Sequence, residues 1–565
     1  MKRQSRYFVW LGADHTPPLG LAPKTVDIAR CPVLGLSEET YKTVSEWLRD
    51  CDCDHETLNI ADNMPTRLLE ISGPLSTPQV RLREKQDGYS DKDTRYVALS
   101  HCWGPKSSRR LKTTDKSFAR RKLHIPWAKI PRTFQDAILF TYRLGVRYLW
   151  IDSLCIIQDQ KSLQDWREES GKMADVYSRA YFTIVAANAP HSNAGLFQKI
   201  SADMLSRPCM SIETSQESTP SVLYARKEAT YISIVTKQEH PLLRRGWAYQ
   251  EKYLSPRTIF FFKDELVWRC RSATWKEASN GSLSIYDGKL GKEVKSDQQS
   301  QWRRCVEEYS KLELTFEKDR LPAIGGIAAQ MQQSRDGTYY AGVWTDSLWW
   351  DLCWEPLTAP DVVSPTTGAP SWSWASVPGQ VSFSFVPEDF TMREIATLVD
   401  IHCDYLSTNH VGEVAVGYLK LRAPRVRVHI EWYCSTGHRW IGLAANGTKS
   451  PWCLILDDVA DYFNSEDDEA EEWAVDPIDL NKSHDVIVVQ LCKLDFISWH
   501  GSSTVHLVLQ KSPDHDDAFE RIGLLYCQTF TPGTDGPADE ISQQAHEDTY
   551  LELAEVLEKV EVTVI

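Results

Sequence analysis

The stretch GVRYLWID, residues Gly145 to Asp152, decides the fold class of this chain. Gly145 follows the last turn of a predicted helix, as a C-terminal helix cap does. Arg147 to Asp152 is a short apolar run that ends in a carboxylate, which is typical of a buried strand. A helix that stops at a glycine and passes directly into a buried strand is the repeating step of an α/β domain.

Helices and strands alternate on both sides of this stretch. One predicted helix follows Pro131, and another runs from Ser162 to about Ala180. Two more apolar strands are predicted, RYVALS at Arg95 to Ser100 and YFTIVAA at Tyr181 to Ala187. Strands that alternate with helices indicate a mainly parallel sheet flanked by helices.

The pattern changes on either side of this α/β segment. The first 90 residues are irregular, with several prolines and one helical pattern at Ser37 to Asp50. Beyond about Asn188 the sequence is irregular and rich in predicted strands. We therefore predict an N-terminal lead-in with one docking helix at residues 1–90, an α/β domain at 91–255, and a large β-rich (α+β) region of unknown role at 256–565.

Composition disfavours several classes of function. The chain has 565 residues, of which 42% are hydrophobic and 25% charged, so it has enough apolar material for more than one core. Its net charge of −15 disfavours nucleic acid as a partner, because the phosphate backbone is also negative. The N-terminus lacks the apolar segment of a signal peptide, and there is no apolar run of about 18 residues. We therefore expect a cytoplasmic protein with no membrane span.

Helical periodicity selects Glu169 as the candidate catalytic residue. It lies three residues after Trp166, on the apolar stripe of its helix, whereas Glu168 is turned about 100° away. Buried carboxylates persist mainly when they are paired or when they take part in chemistry. The structural alternative is that Glu169 accepts hydrogen bonds from a neighbouring segment or pairs with Arg147 or Arg132.

A second group of candidates lies where the predicted strands end. Ligands of open α/β sheets bind outside the carboxyl ends of the strands. A hydroxyl, an imidazole, an indole and a carboxylate at that edge could stack a flat ring and hold sugar hydroxyls. The alternative is a set of turn residues with one tryptophan packed under a loop. The candidate substrate-binding residues at this edge are Ser100, His101, Trp103, Gly104, Asp152 and Ser153.

Cys102 and Cys155 are weaker candidates for a nucleophile near this edge. A catalytic thiolate needs a base within hydrogen-bond reach, and the sequence neighbour His101 does not by itself supply that geometry. The chain has no P-loop motif, no glycine-rich dinucleotide motif after a strand and no HExxH motif. We therefore expect no metal site and no resident cofactor.

Four blocks of sequence, in the same order, resemble the HET (heterokaryon incompatibility) domain of filamentous fungi. They are YVALSHCWG (Tyr96 to Gly104), IPRTFQDAI (Ile130 to Ile138), LGVRYLWIDSLCIIQD (Leu144 to Asp159) and DWREESGKMADVYSRAYFTIVA (Asp165 to Ala186). RGWAYQEKYLSPRTIFF (Arg245 to Phe261) looks like the segment that closes this domain. The resemblance is strong from Tyr96 to Glu251 and is limited to scattered motifs in the second half of the chain.

This resemblance implies a fungal protein of non-self recognition that ends in programmed cell death, a form of innate immunity. It also implies a domain distantly similar to TIR domains, with a flavodoxin-like sheet. Some TIR domains cleave NAD+ into nicotinamide and ADP-ribose with one glutamate, in a context that DWREE resembles here. The resemblance assigns that role to Glu169, and it assigns Ser100 to Gly104 and Asp152 to the nucleotide pocket.

The same resemblance makes NAD+ the substrate rather than a cofactor, so the expected enzyme is an NADase. Trp103 or Trp166 could stack on the nicotinamide or the adenine. An always-active NAD+ hydrolase would kill its host, so we expect activity to rise on self-association or on contact with another incompatibility protein.

Two other functions stay open at the level of sequence. A non-enzymatic death-signalling adaptor would act by self-assembly, and its toxicity would survive Glu169→Gln. A different hydrolase, or a regulatory protein with a degenerate site, would use Glu251 of the YQEK motif as its working carboxylate. The alternatives differ in which carboxylate lies beside Ser100, Trp103 and Asp152.

Overall fold

The described elements up to residue 276 are a mixture of helices and strands, and most of the described elements after it are strands. The computed structural model describes residues 7–11, 38–52, 64–89, 95–105, 111–158, 164–197, 208–212, 221–227, 240–263, 265–271, 273–277, 297–357, 368–383, 390–406, 410–435, 438–445, 448–456, 484–496, 501–530 and 559–565. The α-helices are Glu38–Asp52 (α1), Asp115–Leu123 (α2), Arg132–Arg143 (α3), Asp152–Cys155 (α4), Gln164–Arg179 (α5), Gly246–Leu254 (α6), Asp297–Ser310 (α7), Pro322–Gln332 (α8) and Leu348–Asp351 (α9).

The strands fall into two sets, because the chain divides into two units, Met1–Glu293 and Val294–Ile565. Those of the first unit are Tyr7–Leu11 (β1), Arg67–Ser72 (β2), Gln79–Glu84 (β3), Tyr96–Ser100 (β4), Tyr148–Ile151 (β5), Phe182–Val185 (β6), Pro208–Ile212 (β7), Ser221–Lys227 (β8), Arg257–Phe261 (β9), Leu266–Cys270 (β10) and Thr274–Lys276 (β11). Those of the second are Tyr339–Tyr340 (β12), Val343–Trp344 (β13), Glu355–Pro356 (β14), Val381–Ser382 (β15), Phe390–Glu394 (β16), Thr397–Tyr405 (β17), Val414–Ser435 (β18), His438–Ala445 (β19), Thr448–Leu456 (β20), His484–Phe496 (β21), Gly501–Lys511 (β22), Phe519–Phe530 (β23) and Lys559–Val564 (β24).

The main sheet of the first unit has a parallel centre and antiparallel edges. Its described strands lie in the order β11, β10, β9, β6, β4, β5, β2, β3. The neighbours β5 and β4, β4 and β6, and β6 and β9 are parallel, whereas the other pairs are antiparallel. The four central strands therefore follow the order two, one, three, four, which is that of a flavodoxin-like doubly wound sheet. The predicted α/β sheet is confirmed, with its parallel part limited to the centre.

Burial explains why the central strands are continuous apolar runs. Every residue of β4, β5 and β6 is buried, so neither face shows the alternation of a half-exposed strand. The preceding helix α3 buries Phe134, Ala137 and Ile138 on one face, as predicted. Gly145 then adopts a φ of 79°, a left-handed conformation that a residue without a Cβ tolerates.

The N-terminal region is more regular than the sequence predicts. The predicted helix at Ser37 to Asp50 is present as α1, but β2 and β3 also form a hairpin whose first strand pairs with β5. Five of the six residues of β2 are buried, so this strand lacks the alternating pattern that would have predicted it. At the other edge β9 to β11 extend the same sheet, so the boundary predicted after residue 255 falls within it.

The second unit, Val294–Ile565, contains a nine-stranded sheet in its described part. Its strands lie in the order β16, β21, β22, β23, β20, β19, β18, β17, and β24 pairs with β18 and β23. A separate set of fully buried tryptophans packs in the same unit: Trp302, Trp344, Trp354, Trp372 and Trp374. The predicted β-rich second half is confirmed.

Two observations concern the described residues as a whole. None of the helices in those ranges combines the length and the apolar character needed to cross a membrane. Eight cysteine side chains are described as free thiols, and seven of these eight are buried.

Candidate functional site

The carboxyl ends of β4, β5 and β6 define one edge of the first sheet. The chain passes from β4 to β5 on one side and then reaches β6 on the other side of β4. The connections therefore leave this edge in opposite directions. The place where they diverge is the switch point, at which doubly wound sheets bind ligands. Ser100 ends β4, and its register partner on β6 is Val185. The candidate binding residues that follow β4 and β5 therefore lie at the switch point.

Asp152, which begins α4 directly after β5, connects three of the candidate residues. Its Oδ2 accepts a hydrogen bond from the indole Nε1 of Trp103 at 2.6 Å. Its Oδ1 accepts one from the backbone N of Ser153 at 2.5 Å and lies 3.6 Å from Nδ1 of His101. The side chain of Asp152 is 20% exposed, so it retains contact with solvent. An indole ring and a partly exposed carboxylate therefore lie together at the strand ends.

His101 is buried beside this cluster. Its ring packs edge to face against Phe134, with 4.8 Å between the centroids. Burial lowers the pKa of His101, Asp152 opposes this shift, and Arg245 adds to it. Arg245 also donates a hydrogen bond to the backbone oxygen of His101 at 3.1 Å. The imidazole is therefore uncharged at neutral pH, and its contacts fix the loop that carries Trp103.

Glu251, on α6, contacts the end of β4. Its carboxylate accepts a hydrogen bond from the hydroxyl of Ser100 and one from the phenol of Tyr177. Burial raises the pKa of Glu251 to about 7, although the hydrogen bond from Ser100 lowers it. Asp152 raises this pKa further, whereas Arg245 and the Tyr177 hydrogen bond lower it. A carboxyl group with this pKa can exchange a proton near neutral pH.

Glu169, the predicted catalytic residue, has different partners. It is 5% exposed, as its position in the apolar stripe predicts. Its Oε1 accepts hydrogen bonds from the hydroxyl of Thr66 at 2.9 Å and from Nζ of Lys172 at 2.8 Å. A hydrogen bond from a neighbouring segment is therefore present, and the catalytic role of Glu169 stays a prediction.

The predicted arginine partners of Glu169 are wrong, because each of these arginines contacts another carboxylate. Arg147 lies 3.9 Å from Glu70, and Arg132 lies 3.1 Å from Asp136 one turn away on its own helix. Glu70 is on β2, which pairs with β5, the strand that begins directly after Arg147, and Asp136 is on the same helix as Arg132. Each arginine therefore contacts a carboxylate that is already close to it.

Strand register places Glu169 at the same edge of the sheet as Asp152. β2 runs antiparallel to β5, with Leu69 opposite Leu149. Thr66, which precedes β2, therefore lies at the end of the sheet where β5 stops. Burial raises the pKa of the Cys155 thiol, and the carboxylates of both Asp152 and Glu169 raise it further. The edge thus has Glu169 on the β2 side and Glu251 at the end of β4.

Three other candidates have less direct contacts. Gly104 adopts a φ of 78°, the left-handed conformation that allows the chain to turn after Trp103. The hydroxyl of Ser153 is buried, and no described residue forms a hydrogen bond with it. Trp166 is half-buried near the start of α5, the helix that also carries Glu169.

The two cysteines at this edge are poor nucleophiles. Burial raises the pKa of Cys102 to about 11 and that of Cys155 to about 12. Both groups are therefore thiols rather than thiolates at neutral pH, and the thiolate is the reactive form. Across the described ranges, no three His, Cys, Asp or Glu side chains converge in a group that could hold a metal ion.

Sequence reasoning missed four contributors to this edge. Thr66 and Arg67 lie upstream of every quoted motif, and Tyr177 lies within the quoted block Asp165 to Ala186 without a predicted role. Arg245 lies in the quoted RGWAYQEK segment, but no role was predicted for it. Arg245, directly before the helix that carries the buried Glu251, was the one signal that could have been followed, because a buried carboxylate needs nearby donors or cations.

Comparison with known proteins identifies the domain to which this edge belongs. Residues 96–251 match the sequence model of a family described as Heterokaryon incompatibility protein (HET). The matched segment begins at the first residue of β4 and ends at Glu251. No curated protein and no solved structure matches the chain. The chain therefore carries a heterokaryon incompatibility (HET) domain at residues 96–251.

Proposed function

We propose that this HET domain acts in fungal non-self recognition as a TIR-like NAD+ glycohydrolase, with Glu169 as its catalytic carboxylate. The observation that supports this proposal is the arrangement of the sheet edge. A buried glutamate beside an ammonium group lies at the same edge of the sheet as the partly exposed Asp152 and the indole of Trp103. These are the groups that a positively charged nicotinamide riboside needs: carboxylates for the cation and its hydroxyls, and a flat ring for stacking.

The reaction follows from the chemistry of the N-glycosidic bond. The bond from the ribose C1′ to the nicotinamide nitrogen breaks, its electron pair stays on nicotinamide, and oxocarbenium character develops on the ribose. A carboxylate facing the ribose stabilises this charge electrostatically. Water then forms the new bond to C1′ and releases one proton, which gives ADP-ribose. The proposed role of Glu169 is to stabilise the ribosyl cation, and that of Trp103 is to stack on a base.

A second assignment of the working carboxylate has its own support. Glu251 contacts Ser100, and its pKa of about 7 suits a group that removes a proton from water. In this alternative hydrolase Glu251 activates the nucleophile and Glu169 has a structural role. Exposure does not distinguish the two carboxylates, because Glu251 is 7% exposed and Glu169 is 5% exposed.

Nicotinamide release by the full-length protein tests the proposal. The assay is run at high protein concentration and with a crowding agent, because the proposed activity depends on assembly in the cytoplasm. We expect the wild type to form nicotinamide and ADP-ribose, and Glu169→Gln to lower the rate by about 100-fold or more. Glu168→Gln is the matched control, since Glu168 is exposed on the same helix and its Oε1 accepts a hydrogen bond from Gln164.

Two results would overturn the proposal. Equal loss of activity in Glu168→Gln and Glu169→Gln would show that the helix, rather than the Glu169 carboxylate, had been damaged. Absence of NAD+ consumption by the wild type in every assembly condition, with cell death retained on expression of Glu169→Gln, would instead favour the adaptor that signals by self-association.

A further inference from the structure

We infer that Thr66, which lies outside the HET segment 96–251, is a positioning residue for Glu169, so the proposed site extends to the β2–β3 hairpin. This inference rests on the proposed function of Glu169. It concerns a residue 30 positions before the matched segment begins. The chemistry at issue is the orientation of one carboxylate by one hydroxyl group.

The contacts of Glu169 are asymmetric, and Thr66 accounts for half of them. Both hydrogen bonds, from the Thr66 hydroxyl and the Lys172 ammonium, reach the same oxygen, Oε1. No described residue donates to the other oxygen, Oε2. Among the described residues, the carboxylate is therefore held through Oε1 by two donors. In the proposed site, this fixed orientation aims its charge at the ribose.

Thr66 also links Lys172 to this arrangement. Nζ of Lys172 lies 3.4 Å from the Thr66 hydroxyl oxygen as well as 2.8 Å from Glu169. The threonine hydroxyl can accept from the ammonium while it donates to the carboxylate, so the three groups form a closed triangle. The Lys172 side chain is 51% exposed, whereas that of Glu169 is 6% exposed. Thr66 is more buried than Lys172, so the hydrogen bond from Thr66 fixes Glu169 better than the one from Lys172 does.

The backbone around Thr66 is held on both sides. The amide of Lys85, at the end of the hairpin, donates to the Thr66 carbonyl at 2.9 Å. The phenol of Tyr89 donates to the carbonyl of Pro65 at 2.8 Å. A hydroxyl carried by a backbone that is anchored in this way can orient its partner with little loss of entropy.

Arg67, the next residue, fixes the start of α5 to the same hairpin. It is 5% exposed, and its Nη1 donates to the carbonyl of Cys155 at 2.7 Å and to Oδ2 of Asp165 at 3.0 Å. Its Nη2 donates to the second oxygen of Asp165, so the pair is bidentate. Asp165 lies one turn before Glu169 on α5. Residues 66 and 67 therefore position both the helix and the carboxylate that it carries.

The test measures kcat and KM for nicotinamide release by the full-length protein. Thr66→Val keeps the shape of the side chain and removes the hydroxyl, and we expect kcat to fall about ten-fold with KM changed less than three-fold. Thr66→Ser restores the hydroxyl and should recover most of the activity. Thr77→Val, in the exposed turn of the same hairpin, is the matched control and should behave as wild type. Thermal unfolding of each variant reports whether the fold is intact.

The outcomes separate this inference from the proposed function. An active wild type that loses activity in Glu169→Gln but not in Thr66→Val would overturn the inference and leave the proposed function in place. Equal losses in Thr66→Val and Thr66→Ser would also overturn it, because they would indicate packing rather than the hydroxyl. A wild type that consumes no NAD+ would overturn the proposed function, and this inference with it.

Discussion

Two buried glutamates at one edge of the same sheet have opposite surroundings. Glu169 accepts hydrogen bonds from a cationic lysine and a threonine hydroxyl, and its helix is fixed by a buried arginine. Glu251 accepts hydrogen bonds from two neutral hydroxyls, and burial, together with the Asp152 carboxylate, raises its pKa to about 7. The carboxyl group of Glu251 therefore keeps a proton until the pH approaches about 7, whereas Glu169 has an ammonium group 2.8 Å from its carboxylate oxygen.

This difference indicates a separate role for each of the two glutamates, Glu169 and Glu251. A group that stabilises a cation must carry a negative charge, which is the role proposed for Glu169. A group that exchanges a proton works best when its pKa is near the ambient pH, which suits Glu251. The difference also gives each glutamate its own experimental signature, in activity for Glu169 and in the pH dependence of stability for Glu251.

The largest expected effect is the unequal loss of activity in the two glutamine variants at pH 7. Under the proposed assignment, Glu169→Gln lowers the rate of nicotinamide release by about 100-fold or more, because it removes the negative charge. Glu251→Gln lowers it less than ten-fold, because the amide oxygen still accepts from Ser100. The measurement is kcat of both variants side by side, and the reverse ranking would identify Glu251 as the working carboxylate.

The second effect concerns stability and separates the glutamates without any activity assay. The folded-state pKa of Glu251, about 7, is above its ordinary value of about 4.3. Below about pH 4 both the folded and the unfolded chain hold this proton. As the pH rises to 7 the unfolded chain releases it first, so the free energy of unfolding falls by on the order of 3 kcal/mol and then levels off.

Urea unfolding at pH 5 and at pH 8 checks this prediction. Glu251→Gln has no group to titrate at this position, so its stability relative to wild type should increase between pH 5 and pH 8. Glu168→Gln should follow the wild type, because Glu168 is exposed. Identical pH dependence in the wild type and Glu251→Gln would show that the Glu251 carboxyl is ionised throughout, and the contrast between the two glutamates would disappear.

A smaller effect is expected from Trp103→Phe, which tests the part of the edge nearer Glu251. Phenylalanine keeps a flat ring but removes the Nε1 donor that contacts Asp152 at 2.6 Å. Hydrogen bonds to charged groups are worth about 1.5–3 kcal/mol, so we expect KM for NAD+ to rise about ten-fold. Trp166→Phe, on the Glu169 helix, should change KM less than three-fold. A larger effect at Trp166 would move the proposed stacking site towards Glu169.

The smallest expected effect concerns the buried thiols of Cys102 and Cys155, which should not react with an alkylating reagent. Glu251 is one of the charges near Cys102, and Glu169 is one of those near Cys155. Both thiols are buried with raised pKa values, so iodoacetamide at pH 7.5 should leave them unmodified in the folded protein. Mass spectrometry, with urea-denatured protein as the control, checks this. Rapid labelling of Cys102 or Cys155 would show that the part of the sheet edge around that thiol opens to solvent.

Much of the first sheet was predictable because its signals are local. The apolar runs at β4, β5 and β6 and the glycine cap at Gly145 each lie within a few residues. The hairpin β2–β3 was missed, because β2 is almost fully buried and short, and a strand of that kind has no alternating pattern. β2 also lacks the continuous apolar run that reveals the other buried strands, because the buried Arg67 and Glu70 interrupt it.

The sequence by itself determined that Glu169 is buried and that Ser100, Asp152 and their neighbours follow strand ends, because helical and strand periods are properties of adjacent residues. Only the tertiary structure decided the partners. Thr66 meets Glu169 across 103 positions of chain, and Ser100 meets Glu251 across 151. Such contacts depend on strand order, strand register and the rotation of packed helices. These are fixed by the burial of the whole core rather than by any short stretch of residues.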